Sequence, residues 1–185
     1  MRAPAFVVAG LLLCLAGAAQ AEPLFPLFRT FCLETHASRS EALSAAEKAN
    51  WTPVPKGMLS AFKLSGIDLT DAEGRMTSTA DGLQALVVAH ANHMGPVNAH
   101  PAEICAVAVS PTDPAAVKAE AAEFASVDPI VNNSDSTLYA WRDAGGRHAA
   151  VTTEQLTATS LDPTISILVA GGGSPPFVAL IVPSK

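Results

Sequence analysis

The chain has 185 residues, 49% of them hydrophobic, with 11 basic and 17 acidic side chains and a formal net charge of −6 at pH 7. Nucleic acids and anionic lipid surfaces both favour proteins with clustered Lys and Arg, so an acidic chain has no electrostatic reason to seek them. We therefore expect no nucleic acid among its partners.

The N-terminus has the pattern of a secretory signal peptide. Arg2 supplies a positive charge, residues 6–15 form an apolar run too short to span a bilayer, and Ala19-Gln20-Ala21 fits a small-x-small cleavage site. We expect residues 1–21 to be removed, leaving residues 22–185 as one domain. No later stretch is apolar for long enough to cross a membrane, so the predicted location is periplasmic or secreted.

Three cysteines are present, and the first falls inside the predicted signal peptide. Leu13 before Cys14 is not the small residue of a lipoprotein signal, so we expect cleavage rather than a lipid anchor. In an oxidising compartment the remaining pair, Cys32 and Cys105, is expected to form a disulfide. The alternative is that Cys105 is a metal thiolate or a redox thiol, although the chain contains no CxxC motif.

The first part of the expected mature chain has the sequence pattern of helices. Apolar residues recur at three- and four-residue spacing over residues 24–35, which predicts a helix with one face on the core. Ser38 and Glu41 have the spacing of a capping box before a second helix over residues 39–50. A further short helix is expected over residues 58–64.

A β-hairpin is predicted around Asp81-Gly82, a two-residue turn signal between strands at residues 75–80 and 83–90. A neighbouring antiparallel strand is expected at residues 104–110. Alternation along the second strand divides its side chains between two faces. Leu83, Ala85, Val87 and Ala89 share one face, and Gln84, Leu86, Val88 and His90 share the other.

The helix signal that follows residue 110 is the strongest in the chain. Asp113 is a good N-cap, Pro114 suits the first turn, and Val117, Ala121 and Phe124 lie along one side. We therefore predict a helix beginning at Pro114 that places this apolar side on the core.

Two more hairpins are predicted in the C-terminal part. Residues 137–142 and 147–153 flank Gly145-Gly146, and the apolar runs 165–170 and 177–182 flank a glycine-rich loop. The last hairpin has the composition of central strands.

Together these elements predict an α+β fold in a single domain. We expect an antiparallel sheet of about five to seven strands, with the N-terminal helices and one mid-chain helix packed on one face. The disulfide between Cys32 and Cys105 would tie the first helix to the sheet.

Three histidines surround the connection between the second and third strands. His90, His93 and His100, with Met94 or Glu103, are residue types that bind copper or zinc. Their spacing matches neither a metallohydrolase helix nor a zinc finger. The alternative is that one histidine ends a strand while the others are loop residues facing water.

Tyr139 and Trp141 fall on the same face of their strand. If that face is solvated, the two rings form a candidate ligand face; the alternative is that they belong to the core.

No catalytic motif is recognisable, so no catalytic residue is assigned and catalysis is not the favoured expectation. We predict a small, exported, disulfide-stapled binding or interaction module with a protein or small-molecule partner. The first alternative is copper or zinc binding through His90, His93 and His100, with no cofactor otherwise expected. The second alternative is a hydrolase without a recognisable motif.

Overall fold

The structure is a computed structural model of the chain, and it describes residues 24–59, 67–80, 82–94, 101–158, 162–172 and 175–184. The predicted signal peptide, residues 1–21, lies outside these ranges, and so does His100. Helices and strands are mixed along the described chain, and its strands belong to one sheet, as in an α+β protein.

The described helices are mostly short. They are α1 (Leu24–Phe28), α2 (Arg39–Lys48), α3 (Lys56–Leu59), α4 (Pro114–Ala125) and α5 (Thr153–Leu156), with a π-helical turn at Arg29–Leu33 after α1. The helices predicted from residues 24, 39 and 114 are confirmed. The first of them differs from the prediction because its second half is a π-helical turn.

Six long strands and three short ones form the sheet. The long strands are β2 (Ile67–Thr79), β3 (Gly82–Met94), β4 (Ala102–Ser110), β6 (Ser136–Asp143), β8 (Ile165–Gly171) and β9 (Phe177–Pro183). The short strands are β1 (Thr52–Pro53), β5 (Val131–Asn132) and β7 (His148–Ala150). The strand order is β1-β2-β3-β4-β9-β8-β6-β5, β7 pairs with β6, and every pairing is antiparallel.

The expected count of five to seven strands is wrong, because the described residues already form a sheet of nine. The two unforeseen strands, β1 and β5, have two residues each and are too short to show a period-two pattern. The central position of the last hairpin is confirmed, since β9 lies between β4 and β8.

The β2–β3 hairpin has a different turn from the one predicted. Thr79 pairs with Gly82, so the turn falls one residue before the expected Asp81-Gly82. Gly82 has a φ of +134°, and a Cβ there would lie 2.0 Å from the carbonyl oxygen of Ser110. The close approach of β4 therefore requires this glycine within the strand pair.

One face of the sheet packs against α1, the π-helical turn, α2 and α4. Leu86 and Val88 of β3 lie in this cluster, as the predicted alternation requires. Residues of β4, β8 and β9 form a second apolar cluster on the opposite face with Leu156 of α5. The central strands are thus buried on both sides, which explains their almost continuous apolar sequences.

The predicted disulfide is present. Cys32 in the π-helical turn is bonded to Cys105 in β4, with a Cα–Cα distance of 5.4 Å, and both side chains are fully buried. Cys105 is therefore not a free thiol, and its alternative role as a metal thiolate is wrong. The bond joins the first helical segment to a central strand.

The two predicted helix caps have different outcomes. The Asp113 side chain accepts a hydrogen bond of 2.9 Å from the backbone N–H of Ala115, which confirms the cap of α4. Ser38 precedes α2 as expected but makes no side-chain capping bond, so the capping box with Glu41 is wrong. The spacing located the start of the helix, and the Ser38 side chain lines a groove instead of capping the helix.

Removal of the disulfide should lower the free energy of unfolding by about 4 kcal/mol, because the bond closes a loop of 73 residues. Urea denaturation of the oxidised protein and of the Cys32→Ala/Cys105→Ala variant measures this difference. The wild-type chain refolded under a reductant is the control, and its stability should match that of the variant. A variant as stable as the oxidised protein would contradict the prediction.

Candidate functional site

His90 and Glu103 form a cross-strand pair on β3 and β4. Nδ1 of His90 lies 2.8 Å from Oε1 of Glu103, and the two side chains are 39% and 27% exposed. Nδ1 faces the carboxylate oxygen, so Nε2 is the ring nitrogen that this contact does not use. The pair therefore holds an imidazole in a fixed orientation.

Strand alternation places this pair on the side of the sheet that carries the helices. Glu103 is two residues before Cys105, and His90 is two residues after Val88, the partner of Cys105 in the ladder. Residues separated by two along a strand share a face. His90 and Glu103 therefore lie on the same face of the sheet as the disulfide, beside the apolar residues that the helices cover.

The first turn of α2 forms the opposite wall of an open groove of about 470 Å³. The groove is lined by Ser38, Arg39, Ser40, Leu43, His90 and Glu103. Its size falls within the range of small-molecule sites. The lining combines hydroxyl, guanidinium, imidazole and carboxylate groups with one aliphatic side chain.

The charged groups of the groove are largely paired. Arg39 donates to Glu73 of β2 at 2.7 Å, and His90 is bonded to Glu103. The groove therefore has no strong excess of either charge. A ligand would compete for, or add to, existing hydrogen bonds and would also meet the two serine hydroxyls.

The structure places the predicted metal ligands differently from the expected loop. β3 continues to Met94, so His90 and His93 both lie within a strand, and His93 pairs with Asp68 of β2. The side chains of His93 and Met94, and the whole of His100, lie outside the described part. Among the side chains that are described, no group of three or more His, Cys, Asp or Glu could hold a metal ion. The three-histidine site stays a prediction.

Tyr139 and Trp141 share a face, as predicted, but that face packs against the helices. They are 4% and 3% exposed. The Trp141 ring lies 5.8 Å from Phe124 and stacks on His148 at 4.5 Å. The solvated surface that a ligand face requires is not present here. Both rings contribute to the core in this arrangement.

A second cavity of about 490 Å³ lies at the C-terminal end of α4 beside His148. Nδ1 of His148 is 2.8 Å from the carbonyl oxygen of Ala125, the last residue of α4. Because one ring nitrogen meets the helix end and the ring stacks on Trp141, His148 has a structural role. This cavity is a weaker candidate than the groove.

Sequence reasoning named His90 and Glu103 but missed Ser38, Arg39 and Ser40. A usable signal was present: the predicted disulfide joins Cys32 to the strand that carries Glu103. That bond brings the start of the next helix close to Glu103. The serines and the arginine could have been found by following this covalent link rather than local motifs.

Comparison of the chain with models of protein families, with curated proteins and with solved structures gives no match. In the described ranges, no helix reaches the length and apolar character needed to cross a membrane. The groove and the disulfide are therefore the features that bear on function.

Burial raises the pKa of Tyr139 above its ordinary value of 10.0. Because it is the single tyrosine of the chain, ultraviolet absorbance of the phenolate reports its ionisation directly. A raised folded-state pKa adds stability that is fully present below the ordinary value and is lost as the pH rises through the folded value. We expect a phenol titration above pH 10.0 and a fall in stability over that window.

Tyr139→Phe is the matched control because it retains the ring and removes the titrating group. The variant should show a smaller loss of stability over the same pH window. A phenolate that forms at the ordinary value in the folded protein would contradict the prediction.

Proposed function

We propose that the protein is an exported, disulfide-stapled binding module that uses the groove between α2 and the β3–β4 ladder. The observation that carries the proposal is the fixed His90–Glu103 pair facing Ser38 and Ser40 across an open groove. The proposed partner is a small molecule or a protein segment that presents polar groups.

Export is supported by the signal-peptide pattern and by the disulfide. Disulfides persist in oxidising compartments and are rare in a reducing cytosol. The Cys32–Cys105 bond is buried within the core and links two elements that both contribute to it. A structural bond of this kind agrees with a periplasmic or secreted location.

Binding is favoured over catalysis by the contacts of the histidine. His90 is bonded to a carboxylate that orients it, but no sequence motif identifies a nucleophile to accompany it. The polar groups and Leu43 are suited to hydrogen bonding and apolar contact with a ligand. We therefore propose no reaction for this site.

A variant with a bulky side chain in the groove tests the proposal. The full chain is expressed with its own N-terminal segment and recovered from the export compartment, and co-purifying molecules are identified by mass spectrometry. Ser40 is exposed on α2, so Ser40→Trp should fill the groove without disturbing the core. We expect one molecule to co-purify with the wild type in a stoichiometric amount. With the Ser40→Trp variant its amount should fall by tenfold or more.

Ala122→Trp is the matched control because Ala122 is exposed on α4 and lines the second cavity. This variant should retain the species. Equal recovery from all three proteins, or no specific species from the wild type, would count against the groove as a binding site.

Copper or zinc binding is a second candidate, favoured by the orientation of His90. In metal-ligating histidines, the N–H of the other ring nitrogen commonly donates a hydrogen bond to a carboxylate. Nδ1 of His90 lies against Glu103 in the same arrangement. Nε2 of His90 would bind the metal, with His93 and His100 as the proposed further ligands.

Metal analysis of untagged protein, before and after supply of copper or zinc, tests the second candidate. If it holds, Glu103→Gln should weaken the affinity by about 10- to 100-fold, the usual effect of losing such an orienting partner. His148→Gln is the control and should retain the metal. Absence of stoichiometric metal after both ions are supplied would eliminate this candidate.

A further inference from the structure

Helix α2 is attached to the sheet by small side chains. The residues that it buries fully are Ala42 and Ala46. The segment before it contributes Phe28, Phe31 and the disulfide, and α4 contributes Val117 among its buried side chains. Leu43 of α2 is partly buried against the same apolar cluster, so α2 differs from α4 mainly in that α4 also buries Val117 besides its alanines.

Two ion pairs join opposite ends of α2 to the same strand. Arg39 in its first turn pairs with Glu73 of β2 at 2.7 Å, and Glu47 near its last turn pairs with Arg75 of β2. Arg39 is a cation at the positive, N-terminal end of the helix dipole, and Glu47 is an anion at the negative, C-terminal end. Both charges therefore destabilise the helix itself. These pairs therefore serve attachment to β2 rather than helix formation.

The chain changes direction at both ends of α2. His36 and Ala37 before it have φ values of 51° and 57°, and Asn50 after it has a φ of 62°. Residues at the ends of an element are the ones that absorb backbone changes when the element moves as a unit. Any movement of α2 as a unit would therefore have to be absorbed at these two connections.

The first turn of α2 is also one wall of the groove, opposite His90 and Glu103. The other wall belongs to the β3–β4 ladder and is fixed by the sheet. Movement of α2 away from β2 would therefore widen the groove without disturbing the histidine–carboxylate pair.

We propose that α2 is a movable wall, or lid, of the groove, held in the observed position by the Arg39–Glu73 and Arg75–Glu47 ion pairs and released more readily than α4. The role of the lid in ligand binding rests on the proposed binding function, whereas the movement of α2 is a property of the protein without ligand. An experiment can therefore contradict the lid without contradicting the binding function, and the reverse also holds.

Hydrogen exchange on the ligand-free oxidised chain tests the lid, because the exchange rate of a protected amide follows the local opening equilibrium. The amides of α2 should exchange faster than those of α4 and β4. Glu47→Gln/Glu73→Gln removes both ion pairs at exposed carboxylates, so the variant should fold. Loss of two surface pairs should speed α2 exchange by about fivefold.

A salt titration is the second readout. At about 1 M salt, screening should bring wild-type α2 exchange towards that of the double variant, while the variant itself responds little. Glu123→Gln, at an exposed carboxylate on α4, is the matched control and should leave α2 unchanged. Protection of α2 equal to that of α4, or insensitive to both salt and the double variant, would overturn the proposal.

Discussion

The bond between Cys32 and Cys105 is the constraint on which the rest of the molecule depends. β4 lies beside both the β2–β3 hairpin and the C-terminal hairpin, so a covalent link to it fixes the first helical segment against the middle of the sheet. The bond holds the segment that precedes α2, and α2 forms one wall of the groove. Helix α4 covers the same face without a covalent link.

The groove and its proposed lid belong to the same part of the fold. Large aromatic side chains and the disulfide hold the segment before α2, whereas alanines, the partly buried Leu43 and surface ion pairs hold α2 itself. The change from strong to weak attachment occurs within a few residues, beside the polar pair of His90 and Glu103. Rigid support on one wall and looser attachment on the other would suit the proposed binding function.

Local sequence signals predicted most of the elements correctly. Asp113 with Pro114 located the start of α4, and the apolar runs ending at Ala170 and beginning at Phe177 located the central hairpin. Two-residue strands such as β1 were missed because pairing with a neighbour, rather than any periodic pattern, defines them. The hairpin turn was misplaced because Gly82 is required by the nearby Ser110 backbone rather than by the turn.

The sequence by itself determined the α+β class, the disulfide and the face on which His90 lies, because these depend on residue type, compartment and strand alternation. Only the tertiary structure decided that Tyr139 and Trp141 are covered, and that Ser38, Arg39 and Ser40 meet the His90–Glu103 pair. The physical reason is distance along the chain. Trp141 meets Phe124 from 17 positions away, and Ser38, Arg39 and Ser40 meet His90 from 50 to 52 positions away. Such contacts depend on how whole elements pack, and no local pattern records that packing.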